Sequence, residues 1–176
     1  MTPVRLVIVA MVLTALVAGA AMYYLQVYAF YEEVGAEAAG GVQLTRADTG
    51  TPEAVAFDNF RAIDANSSPI RFRACFDTPL SQDDLRKSYT IAEAAEPLTG
   101  PGWFDCYDAR EIGAALESGA ALPIMGVKNI EYGIDRLVAV MPDGRGYAWH
   151  QINRCGEVVF DGEPVPDDCP APPEDD

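Results

Sequence analysis

Very little in this sequence is equipped for chemistry. There is one histidine, His150, and no Cys-x-x-Cys or Cys-x-x-Cys-His accompanies it. Zinc and iron–sulfur sites need clusters of thiolates and imidazoles, and covalent haem attachment needs the second motif. No metal site, no cofactor and no enzymatic activity is therefore expected. No glycine-rich loop leads from a strand into a helix, which excludes the usual phosphate cradle. Asp143-Gly144-Arg145-Gly146 has the composition of a hairpin turn instead. Basic residues are scarce as well: 12 Lys and Arg stand against 27 Asp and Glu, for a formal net charge of −15. A surface of that sign repels nucleic acid and anionic lipid headgroups alike.

Charge of either sign is missing between Arg5 and Glu32. A helix through that whole stretch is about 39 Å long, more than the roughly 30 Å of a bilayer's hydrocarbon core. Residues 1–31 are thus read as a membrane anchor that spans with some tilt. A cleaved signal peptide is the rival: Leu6 to Val17 would form its apolar region, and Ala18-Gly19-Ala20 has the form of a cleavage site. Against cleavage, the apolar run continues through Met22, Leu25, Val27 and Phe30, with no polar segment before Glu32. Tyr24, Tyr28 and Tyr31 recur at i, i+4 and i+7, suiting either an interfacial aromatic belt or contact with a neighbouring membrane helix. Ala15 and Gly19 permit close helix approach. Arg5 keeps the amino terminus cytoplasmic by the positive-inside rule, leaving residues 32–176 on the far side.

Four cysteines remain: Cys75, Cys106, Cys155 and Cys169. An even set outside the cytosol reads as two disulfides. Three pairings are open; Cys155 and Cys169 bracket a short Pro-rich segment, so they are paired, which leaves Cys75 with Cys106. Every acidic residue, and every basic one except Arg5, lies beyond Tyr31. The head therefore attracts a cationic partner with a strength that falls as salt rises, although acidity also serves solubility alone.

Local patterns outline the elements. Residues 32–53 read as a juxtamembrane linker with one short strand at Val42 to Leu44. Ala54 to Phe57 suits a strand, and Asn66-Ser67-Ser68-Pro69 a turn. Ile70 to Phe76 alternates: Ile70, Phe72, Ala74 and Phe76 share one face, Arg71, Arg73 and Cys75 the other, as in a half-buried strand. Ser81, with Asp83 and Asp84 behind it, starts a helix to about Tyr89. Asp108 with Glu111 resembles a capping box for a second helix that stops at Gly119. Pro123 confines the strand around Ala121 to Met125 to an edge or an end. Arg136 to Met141 and Tyr147 to Ile152 form a hairpin across Pro142 to Gly146, and Glu157 to Phe160 adds a short strand. Residues 164–176, with Pro164, Pro166, Pro170, Pro172 and Pro173 and no basic residue, form an irregular acidic tail. The expected fold is α+β: residues 54–163 build an antiparallel sheet of about five strands with two short helices on one face.

Candidate binding residues are few. Arg71 and Arg73 on one strand face suit an anion pocket, or else internal salt bridges. Trp103 and Trp149 suit a pocket or interface, or else core packing. His150 alternates with Trp149, so one of the two should point inward and the other outward. An exposed His150 would titrate near neutral pH, yet no serine or cysteine stands beside it as a nucleophile.

The segments MYYLQVYAFYEEV (22–34), SSPIRFRACF (67–76), GWFDCYDA (102–109) and YGIDRLVAVMPDGRGYAWHQINRCGEVVFDGEPVPDDCP (132–170) resemble an uncharacterised family of Rhodobacter-type alphaproteobacteria. Its members are short single-span proteins carrying a domain of unknown function. The resemblance implies a Gram-negative inner membrane and a periplasmic head, and it implies no activity. Composition and compartment together point to a non-catalytic accessory subunit or scaffold of an inner-membrane, respiratory or electron-transfer complex. Its expected partners are membrane lipid, an integral membrane protein, and a basic periplasmic protein such as a c-type cytochrome. The alternative is a periplasmic small-molecule sensor.

Overall fold

The computed structural model describes residues 2–173, so Glu174 to Asp176 of the acidic tail lie outside the described residues. The chain forms two compact units, one ending at Glu32 and one beginning at Glu33. The first is a single helix, α1 (Pro3–Val27), with Pro3 at its opening turn and no buried residue. It is long and apolar enough to cross a membrane, and such a helix near an amino terminus serves as an anchor or a signal sequence. Thr14, in the middle of the helix, donates back to the Ala10 carbonyl at 2.9 Å, so that hydroxyl needs no water. Tyr24 and Tyr28 stack with ring centroids 6.0 Å apart. Tyr31 falls beyond the helix end, because Tyr28 is already the C-cap, so the expected three-tyrosine stripe is a pair.

After α1 the chain forms β1 (Glu32–Glu33), β2 (Gln43–Thr45), β3 (Pro52–Ala54), β4 (Asp58–Asp64), β5 (Arg73–Asp77), α2 (Gln82–Ser88), α3 (Ala109–Glu117), β6 (Leu122–Glu131), β7 (Ile134–Val140), β8 (Arg145–Ile152) and α4 (Arg154–Phe160). Six strands form an antiparallel sheet in the order β1-β4-β5-β8-β7-β6, and β2 and β3 form a separate ribbon. The α+β class and the antiparallel sheet are as expected, with one more strand and one more helix.

Both faces of the sheet are covered. On one face Phe72, Ala74, Phe76, Val138, Val140 and Ala148 pack with Val42 and Leu44 of the ribbon segment and Leu85 of α2. On the other, the chain from Ala94 to Tyr107 and α3 lie over Arg73, Cys75, Tyr147 and Trp149, tied down by Cys75–Cys106 and by Arg145–Glu111. This second layer is why β5 is not half-buried: its residues Arg73 to Phe76 are all buried. Stretch 32–53, expected as a linker, supplies Ala39, Val42 and Leu44 to the core. Gly40 and Gly41, at φ +75° and +67°, turn the chain there.

Three local expectations shift. The strand expected at Ala54 to Phe57 sits earlier, as β3, where Gln43 pairs with Ala54 and Thr45 with Pro52. The hairpin loop is tighter than Pro142 to Gly146: Val140 already pairs with Gly146, and the turn closes with Gly144 N–H on the Met141 carbonyl at 3.1 Å. Glu157 to Phe160 belongs to helix α4 rather than a strand. Asn153 caps it, its side-chain oxygen accepting from the amides of Cys155 (3.0 Å) and Gly156 (3.1 Å). A four-residue, mostly apolar run is too short to tell strand from helix. The other caps agree with the sequence: Ser81 accepts from Asp84 N–H, and Asp108 from Arg110 and Glu111 N–H. Glu111 does not stay within its own cap, because its carboxylate pairs with Arg145 at 3.1 Å. β6 is an edge strand in the sheet order, consistent with Pro123.

Candidate functional site

His150 and Arg136 face each other directly across the β7–β8 ladder. Both are buried. Arg136 Nε donates to His150 Nε2 at 3.0 Å, and its Nη1 donates to the Ala39 carbonyl at 2.7 Å. A guanidinium can only donate, so Nε2 must be the accepting nitrogen. Nδ1 then carries the proton and donates to the Pro69 carbonyl, 2.7 Å away. The ring stacks on Phe72 with centroids 4.8 Å apart, and the Arg136 guanidinium lies 4.1 Å above that same phenyl ring. Burial, and then the neighbouring Arg136 charge, pull the imidazole down to about 4, against the Pro69 bond that works the other way. Burial lowers Arg136 to about 10, opposed by Asp64. Burial also raises the Asp64 carboxyl. An imidazole with both nitrogens committed and its lone pair held by arginine has nothing left with which to take a substrate proton.

On the opposite face Arg73 is equally committed. Its guanidinium donates to the carbonyls of Leu98 (2.7 Å), Ile70 (2.8 Å), Phe72 (2.6 Å) and Thr99 (3.2 Å). It fastens the 98–99 loop to β5 where an anion site was one expectation. Arg71 precedes β5 and is partly exposed. Trp149 is fully buried, and its indole N–H donates to Gln151 at 3.3 Å. Neither Trp149 nor His150 points to solvent, because alternation leads into a covered face on either side. Trp103 meets Phe104 edge-on at 6.3 Å.

Tyr107 lies in this layer, edge-on to Tyr147 at 6.1 Å, with Arg73 5.9 Å from its ring centroid. Its buried hydroxyl has no hydrogen-bond partner among the described residues, and burial raises its pKa. Removing an unsatisfied polar atom releases its desolvation cost. Tyr107→Phe is therefore expected to leave stability unchanged or raise it by up to about 1 kcal/mol in denaturant unfolding. A clear loss would show that the hydroxyl is bonded after all.

Arg136 and Asp64 were not singled out in the sequence. For Arg136 the signal is a charged residue opening an apolar strand, which invites the question of its partner, although a loop of Pro142 to Gly146 would set it opposite Ile152 and only the observed register brings it to His150. Tyr107 carried no such signal.

A concave feature of the head lies elsewhere. An open groove of about 730 Å³ runs between α3 and the chain from Ala92 to Pro97. Alanines, Pro97, Gly113 and Leu116 line it, with Glu93, Glu96, Glu117 and Arg110. Arg71, Arg73, Trp103, Trp149 and His150 take no part in it. The wall at 92–97 is fixed by Gln151, whose amide donates to the Ala94 carbonyl at 3.1 Å and accepts from Glu96 N–H at 2.9 Å. Among the described residues no group of three or more His, Cys, Asp or Glu is placed to hold a metal ion.

The fold and these contacts define a disulfide-bonded α+β domain preceded by an apolar helix, with Arg73, Arg136 and His150 spent on internal bonds. The chain belongs to a family of unknown function, DUF6446, whose model matches residues 42–170. That match covers both disulfides, the Arg136–His150 pair and the groove, and leaves out the apolar helix. No curated protein and no solved structure matches the chain.

Proposed function

We propose that this chain is a non-catalytic accessory subunit of a bacterial inner-membrane complex. In this reading α1 is a retained single span, the amino terminus is cytoplasmic, and the disulfide-bonded head docks a partner in the periplasm. Four features support it. Helix α1 is long and apolar enough to span. Arg5 precedes it, as the positive-inside rule prefers. All four cysteines are paired, which suits an oxidising compartment. The fourth carries the functional step: His150, Arg73 and Arg136 are consumed by bonds within the head, while the chain bears a net charge of −15. What the head offers a partner is acidic surface, which speeds and orients association with a basic protein. The sensor alternative is less well supported, because the groove is not lined by the arginines and tryptophans it would use.

The test is extraction of the chain from its native membranes in mild detergent. The expected product is an undivided chain that still carries α1, accompanied by a stoichiometric integral membrane protein. A solitary monomer would argue for the sensor, and a chain starting near Ala21 would remove the anchor.

A further inference from the structure

We propose that the groove between α3 and the 92–97 wall is a docking site for a cationic protein segment bound in extended form. The proposal rests on the docking reading above and names where and what the head docks.

The groove carries an excess of unmatched negative charge. Arg46 pairs with Asp48 and Glu53, Arg61 with Asp105, Arg145 with Asp143 and Glu111, and Arg154 with Asp168. The carboxylates beside those arginines are already matched within the head. Glu93, Glu96 and Glu117 make no ion pair among the described residues, and all three border the groove. Arg110 is the one basic residue lining it. These three carboxylates thus border a concave site with a floor of small and apolar residues, where a cationic segment meets both charge and shape.

Shape then selects the occupant. α3 is nine residues long, about 13 Å, which matches roughly four residues of extended chain at ~3.3 Å each. The alanine-lined floor admits close approach of a main chain. Successive side chains of an extended segment point opposite ways, so small residues can face the floor while Lys or Arg reach the glutamates. The wall is preformed: Gln151 pins Ala94 and Glu96, and Ala92 N–H donates to the Pro123 carbonyl at 3.2 Å. A preorganised site has less ordering entropy to lose on binding.

The probe is an end-blocked Lys-Ala-Lys-Ala-Lys peptide titrated calorimetrically into the full-length, detergent-solubilised chain at low and high salt. The wild type should bind, with affinity falling as salt rises. Glu93→Gln with Glu96→Gln and Glu117→Gln should weaken binding at least about tenfold. Asp161→Asn with Glu163→Gln and Asp167→Asn removes the same charge away from the groove and should change affinity by about twofold or less. Ala114→Trp keeps every charge and fills the groove; it should also weaken binding about tenfold or more. Equal losses in the two triple variants, wild-type affinity in Ala114→Trp, or no binding to the wild type would each overturn the proposal. Membrane extraction separates it from the broader reading. A native companion that stays bound to the groove triple variant removes the groove assignment and leaves the docking role. Peptide binding that obeys the pattern above, with no native companion on the wild type, removes the accessory-subunit role and leaves the groove.

Discussion

Replacing Cys75 and Cys106 together by alanine is expected to lower the unfolding free energy by about 3–4 kcal/mol. The bond closes a loop with a sequence separation of 31, and cross-linking a loop of that length removes considerable freedom from the unfolded chain. It also acts at the centre of the fold. Cys75 sits in β5 opposite Arg61 on one side and Tyr147 on the other, and is itself buried. Cys106 carries the layer holding Phe104 and Tyr107. The bond thus fixes the 94–107 segment over the sheet face that holds Arg73 and Trp149. Tryptophan fluorescence reads this cleanly, because Trp103 and Trp149, both in the head, are the chain's only tryptophans. The same substitution of Cys155 and Cys169 should cost less. That loop spans a separation of 14 and holds a mostly exposed segment, anchored further by Tyr132 to the Pro170 carbonyl and by Arg154 to Asp168. The reverse order of losses would mean that the C-terminal segment, and not the 94–107 layer, carries the fold.

Acidification from pH 6.5 to 4 should remove about 3 kcal/mol of stability, and His150→Gln should flatten that slope. His150 is held near 4 in the folded head, against an ordinary 6.5. Between those values the unfolded chain binds the proton and the folded chain does not, so stability rises with pH. It is complete above about 6.5 and lost progressively down to about 4. The groups facing the imidazole give the reason: protonating Nε2 would set a second positive charge against Arg136 at 3.0 Å, in a buried site that Arg73 also makes more positive. Asp64 works in the other direction. Its raised pKa means the folded state takes up a proton above the ordinary carboxyl value, which offsets part of the loss near the acid end. Asp48, Asp143 and Asp168, lowered by Arg46, Arg145 and Arg154, lose their pairing only below that window. A wild type and a His150→Gln variant with parallel pH profiles would contradict the buried pair.

Short-range signals are legible in the sequence where one residue type answers one backbone need. Ser81 and Asp108 name helix starts because their oxygens satisfy orphan amides. Pro123 marks an edge strand, and the β7–β8 hairpin is legible from two apolar runs flanking a glycine-rich turn, although its register is two residues tighter than a loop of Pro142 to Gly146 implies. Asn153 caps α4 in the same way, which is why Glu157 to Phe160 is helical rather than a strand. What the sequence could not convey was the second layer. Segment 94–107 has no periodicity of its own, so nothing in it announces that it will cover Arg73, Trp149 and Tyr147. Without that layer, alternation in β5 and β8 suggests an exposed face carrying Arg73, and one outward residue of Trp149 and His150. Ala39, Val42 and Leu44 were equally hard to place, because their burial depends on a sheet far away in sequence. The groove depends on α3 meeting 92–97, a long-range contact that no motif records.

The central claim is that an apolar helix keeps an oxidised, acidic head on the membrane as one component of a larger assembly. Native mass spectrometry of the material released by mild detergent tests it most directly. The expected result is one undivided chain carrying both disulfides, bound at fixed stoichiometry to an integral membrane protein. A free head lacking Pro3–Val27, or a chain whose four thiols alkylate without reduction, would contradict it.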